Sequence, residues 1–161
     1  MKLAIFSDSG SLLGKLCKFF TGCYAYHTAW IDEDLGLIYD RSFLFRRREW
    51  PRIKHKKATV HLFDFPNVTQ DYLEEQLTKD GTRYGVVDFV LFAVRKFYHV
   101  IGRPTRNAGG KICSDEQNEH LRGCGYETPW PLDLAPPSPC DLLKWASSTY
   151  PLYKTLPPTS V

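Results

Sequence analysis

Two runs rich in aromatic and β-branched residues, 24–31 (YAYHTAWI) and 37–45 (LIYDRSFLF), flank the turn sequence DEDLG. Their length and composition predict a β-hairpin. The pairing places His27 at the hairpin's entrance and Asp40 at its exit, thirteen residues apart. Cross-strand or diagonal neighbours on one face of a sheet touch, so Asp40 can orient the imidazole. Strand register decides whether Asp40 or Asp32 faces His27, and a one-residue slip would send Asp40 to the opposite face. A polar pair on a hairpin surface is the plainer alternative.

Local signals sort much of the remaining chain. Residues 2–7 (KLAIFS) predict a short strand, and Ser11 a cap for a helix that carries Leu12, Leu13, Leu16, Phe19 and Phe20 on one apolar face and stops at Gly22. RRREWPRIKHKK reads as a loop or edge segment leading into a strand at 59–65. Thr69 caps a second helix with Leu73 and Leu77 one turn apart and Gly81 at its end, and residues 86–100 predict a third, central helix. Gly109, Gly110 and Lys111 lead into a polar helix from Cys113 that stops at Gly123. Eight prolines among the last 34 residues predict an extended surface path, broken by a short helix at 141–146.

The 161 residues include 10 Phe, 9 Tyr and 4 Trp, enough to build one core without metals or disulfides, so residues 1–161 read as a single domain with a Pro-rich C-terminal tail. The most apolar stretch, 84–94, contains Asp88 and falls short of the roughly 20 residues a membrane span requires. The apolar run at 3–6 is too short for a secretion signal, so a cytoplasmic protein is expected, or a virion protein if the chain is phage-encoded. Five cysteines without a CxxC predict reduced thiols, with Cys17 and Cys23 packing as small hydrophobes. The spacing of Cys113, His120 and Cys124 matches no standard zinc site, and no metal or cofactor is expected.

A net charge of +3 is unevenly spread, with eight Lys and Arg at 41–57 and six acids at 113–141. Arg46, Arg47, Arg48 and Trp50 are candidate contacts for an anionic substrate, for nucleic acid or for a virion neighbour, and a solvated charged face is the bland alternative.

Cys113 stands where a Gly-rich loop meets a helix start. The partial positive charge there favours thiolate, and the free N–H groups of the first turn, that of Cys113 included, can receive an oxyanion, as can the Tyr26 hydroxyl. His27 and Asp40 supply the base and orienting acceptor that a thiol nucleophile needs. An inert buried cysteine is the alternative reading.

The passages SLLGKLCKFFTGCYAYHTAW, GLIYDRSF, YLEEQLTKDGTRYGVVDFVLF, KICSDE and PPSPCDLLKW follow one another in the order seen in permuted NlpC-type papain-like cysteine hydrolases, which the chain resembles over most of its length. Lecithin retinol acyltransferase-like proteins are among that family's relatives. The resemblance implies an α+β fold, an antiparallel sheet packed against helices, with Cys113 at a helix N-terminus as nucleophile, His27 as base and Asp40 as orienting residue. It implies a cysteine peptidase or amidase, acting on a peptide or peptidoglycan amide through a thioester. A lipid or thioester acyltransferase or deacylase, and an inactive binding or structural protein such as a virion component, are the alternatives. Where the family continues after Cys-Ser-acid with apolar residues, Glu116, Gln117 and Asn118 follow here, which predicts a short or shifted helix.

Overall fold

The computed structural model describes residues 1–8, 10, 12–41, 45–50, 57–79, 112–133 and 136–158. The expected Ser11 cap, the central helix at 86–100, Gly81 and the loop at 109–111 lie outside them. The described elements are β1 (Lys2–Ser7), α1 (Leu12–Thr21), β2 (Ala25–Asp32), β3 (Leu37–Arg41), β4 (Phe45–Glu49), β5 (Thr59–Asp64), α2 (Gln70–Lys79), α3 (Cys113–Gly123), α4 (Pro139–Thr149) and β6 (Leu152–Leu156). The class is α+β. All six strands join one antiparallel sheet in the order β4-β3-β2-β1-β5-β6.

β1 lies inside the sheet and is buried on both faces, which is why its sequence is nearly continuous in apolar residues instead of alternating. Leu3 and Ile5 join Trp30, Tyr39 and Phe63 in a cluster completed by Leu73 of α2, Leu121 of α3, and Leu142 and Ala146 of α4. Ala4 and Phe6 join Ala29, Ile31, Ile38, Val60 and Leu62 in a second cluster. The hairpin of β2 and β3 forms as expected. Asp32 is spent on its turn, where Oδ1 accepts the N–H groups of Asp34 and Leu35 at 3.0 Å each, and Gly36 takes the left-handed conformation at φ 63°.

Three helices depart from the sequence expectation. α1 ends before Gly22 as expected, at φ 87°, but of its apolar residues Leu12 and Phe19 are 75% exposed and Leu16 46%. Cys17 and Thr21, one turn apart, are the least exposed of its described side chains. α3 is a full 11 residues, neither shortened nor displaced by its polar sequence. At its end a Cβ on Gly123 would collide with the Tyr72 hydroxyl, so glycine permits the close approach of α2.

α4 is longer than the expected helix and is started by a capping box in which Ser138 and Asp141 satisfy each other's backbone N–H groups, with Pro139 in the first turn. After it β6 adds an edge strand beside β5, where an extended path over the surface was expected. The prolines at 136, 137, 139, 151, 157 and 158 stand before or after these elements or at a helix start, where the missing N–H costs nothing. Cys23, just past α1, is bonded to Cys140 in the first turn of α4, with Cα atoms 5.8 Å apart. The expectation of reduced thiols is therefore corrected: a separation of 117 residues hides from the sequence that these two meet. Among the described residues no helix is long and apolar enough to cross a membrane.

Candidate active site

β2 pairs with β1 through Phe6 and His27, and with β3 through Ala29 and Asp40. His27 and Asp40 are thus diagonal neighbours on one face, as the hairpin register requires. Asp40 Oδ2 lies 3.3 Å from His27 Nε2, and the carboxylate is fully buried. Arg48 of β4 approaches its other oxygen at 3.8 Å. With Nε2–H directed at Asp40, Nδ1 is the nitrogen left to accept a proton.

The Cys113 thiol meets that imidazole. Burial alone would push its pKa up, but the charge and hydrogen bond of His27, together with the N–H of Thr28, override this and bring it below the ordinary thiol value. Ile112, the residue before α3, contributes no side-chain cap, so the N–H groups of the first turn are not consumed by one. The thiol, the imidazole and the carboxylate thus stand in series, Cys113 against His27 and His27 against Asp40.

β2, β3 and α3 are fastened around the site by side-chain bonds. The ladder between β2 and β3 ends at Ala29 and Asp40, short of Thr28 and Arg41. Thr28 directs its N–H at the thiol, and its carbonyl accepts from Gln117 Nε2 at 3.3 Å. Arg41 donates from Nε and Nη2 to Glu116 Oε1 at 3.1 and 2.6 Å, both side chains being at most 1% exposed. One turn further along, Trp30 Nε1 donates to His120 Nδ1 at 3.1 Å. Asn118 accepts from the Thr128 hydroxyl at 2.6 Å and donates to the Trp130 carbonyl at 3.1 Å. Residues whose polarity predicted a loose helix are the ones that fasten it, because each is buried against a matching donor or acceptor.

The remaining sequence candidates fall elsewhere. Tyr26 is the extra residue of a bulge between the pairs Phe6–His27 and Ser7–Ala25, and its hydroxyl is held neutral, pushed up to about 12 by burial and by Asp8 and Cys17. Cys17 lies within electrostatic reach of Cys113 and is pushed up to about 11, mainly by burial. Arg47 donates to Glu74 at 2.7 Å, and Trp50 packs edge-on against Phe6 with ring centroids 6.0 Å apart. Arg46 is exposed opposite Asp40 on the neighbouring strand. Of the four candidate anion contacts, Arg47, Arg48 and Trp50 therefore have partners within the fold.

His120 is engaged by Trp30 and not positioned as a base. Among the described residues no group of three or more His, Cys, Asp or Glu side chains is arranged to hold a metal. Thr28, Arg41 and Gln117 escaped the sequence reading. The one available signal was the spacing that places Glu116 a helical turn after Cys113 and Arg41 directly after Asp40. No protein-family model, curated protein or solved structure matches the chain.

Proposed function

We propose that the chain is a cysteine hydrolase with a permuted papain-like arrangement, cleaving an amide bond in a peptide or in peptidoglycan. The observation that carries this reading is the run of contacts from Cys113 through His27 to Asp40, in which a buried thiol is made more acidic by an imidazole whose other nitrogen is held by a buried carboxylate. In the proposed cycle Nδ1 of His27 takes the thiol proton and the sulfur attacks the amide carbonyl. Negative charge on the carbonyl oxygen is received by the first-turn amides of α3, that of Cys113 included. The C–N bond then breaks, the amine leaves with the proton from the imidazolium, and water activated by His27 cleaves the thioester. Asp40 keeps the ring oriented and stabilises its charged form.

The exposed Leu12, Leu16 and Phe19 of α1, the helix whose Cys17 neighbours Cys113, favour a second reading with an acyl lipid or other thioester as substrate. The Cys23–Cys140 bond favours an oxidising setting, such as a virion, over a cytoplasm.

Alkylation rates at individual cysteines, measured by mass spectrometry against pH, test the reading. Cys113 is expected to react below neutral pH and to lose that reactivity in His27→Ala, whereas burial delays Cys17 and Cys124 to higher pH. A thiol pKa lowered on folding also adds stability above its unfolded value, lost as pH falls through the folded value. Wild type should therefore gain on Cys113→Ser in urea melts as pH rises toward about 9. A Cys113 that behaves as an ordinary thiol of pKa about 8.5 would leave a binding or structural role. Turnover of amide against short-chain thioester substrates separates the two enzymatic readings.

A further inference from the structure

Three elements bring the site together, and they are joined pairwise. β2, carrying His27, is tied to β3, carrying Asp40, by the ladder that ends at Ala29 and Asp40. β2 is tied to α3, carrying Cys113, by the bonds from Gln117 to Thr28 and from Trp30 to His120. Among the described residues, β3 is linked to α3 at the site by the ion pair of Arg41 and Glu116. Its two ends stand next to the site on both sides, since Arg41 follows Asp40 in the strand and Glu116 is one helical turn from Cys113. The pair is enclosed, and two nitrogens of one rigid guanidinium converge on one oxygen. That geometry restricts how the helix can slide or rotate against the strand.

We propose that Arg41 and Glu116 are positioning residues for the Cys113 reaction, a clamp that sets the distance and direction from the thiol to the imidazole. The inference rests on the nucleophile reading above. Neither side chain touches the thiol in this role. They act by holding the first turn of α3 against the strand whose carboxylate orients His27. Among the described residues, the charged and titratable groups around the sulfur include His27 and Cys17, with Asp40 and Arg48 behind the imidazole. A displacement of α3 would move the sulfur relative to all four together.

The test replaces both partners, Arg41→Met with Glu116→Met, so that no unpaired charge is left inside. Cys113 alkylation is followed from pH 5 to 9 in this variant, in Arg41→Lys and in wild type, beside thermal unfolding and crystal structures. The clamp predicts a folded double variant in which alkylation at pH 6 falls at least about tenfold and the profile approaches that of a thiol of pKa about 8.5. Arg41→Lys, which keeps the charge and loses the fork, is expected to lie between. A folded double variant with the wild-type profile overturns the proposal. Should the double variant fail to fold, Arg41→Lys decides: a wild-type profile there overturns the clamp, and a shift toward the ordinary thiol supports it. If wild-type Cys113 itself has an ordinary profile, the nucleophile reading falls. The clamp is then judged on the distance from sulfur to His27 Nδ1 in the crystal structures, and an unchanged distance in the variant rules it out.

Discussion

Helices α1 and α3 have ten and eleven residues and differ in how their described side chains relate composition to burial. α1, LLGKLCKFFT, shows Leu12, Leu16 and Phe19 to the outside. α3, CSDEQNEHLRG, has its side chains from Cys113 to Asn118, with His120 and Leu121, buried. The difference lies in what each helix meets. α3 lies against β2 and β3, where it meets a strand carbonyl, a guanidinium and an indole N–H, all of which demand polar partners. A buried polar group costs little once bonded, whereas burying it without a partner costs about 1–3 kcal/mol. Of the described α1 side chains, Cys17 and Thr21 are half-buried while Leu12, Leu16 and Phe19 face outward. An amphipathic pattern therefore identifies a helix and its faces, but the neighbouring surface decides which face turns in.

The contrast can be broken most severely at Glu116. Glu116→Leu, which would look favourable in a buried helix by hydropathy alone, leaves the Arg41 charge enclosed and is expected to destabilise by about 3–5 kcal/mol in chemical denaturation. A neutral or stabilising result would mean that apolar burial outweighs the polar fastening of α3.

The Cys23–Cys140 bond ties the chain just past α1 to α4. Closing so long a loop limits the unfolded chain, so Cys23→Ser with Cys140→Ser should cost about 2–4 kcal/mol. Peptide mapping under non-reducing conditions reads the bond directly, and free thiols at both positions would remove it from the account of how α1 is held. The smallest effect is expected on α1 itself. Leu12→Gln should change stability by no more than about 0.5 kcal/mol, as for an ordinary surface position. A loss of 2 kcal/mol or more would show that Leu12 is covered in solution and would erase the contrast.

Much of the sheet and part of the site were legible in the sequence. The β2–β3 hairpin follows from residue type and a turn rich in Asp and Gly, and its register brings His27 and Asp40 together, with Asp32 occupied by the turn. Helix starts at Thr69 and around Cys113 and the stop near Gly123 were equally local. The capping box at Ser138 was just as local but went unread, because the density of prolines argued for an extended chain.

What the sequence by itself determined is whatever acts over a few residues: strand and helix periodicity, turn chemistry, and the presence of a thiol, an imidazole and a carboxylate in a workable order. Only the tertiary structure decided which helix would be enclosed, that Cys23 would find Cys140, that Arg47 would find Glu74, and that Arg41 would find Glu116. Those partners lie 117, 27 and 75 residues apart. No periodicity spans such distances; a charge or a thiol carries no local mark of its partner, and the pairing is set by which backbone surfaces come together when the sheet closes over its two apolar clusters.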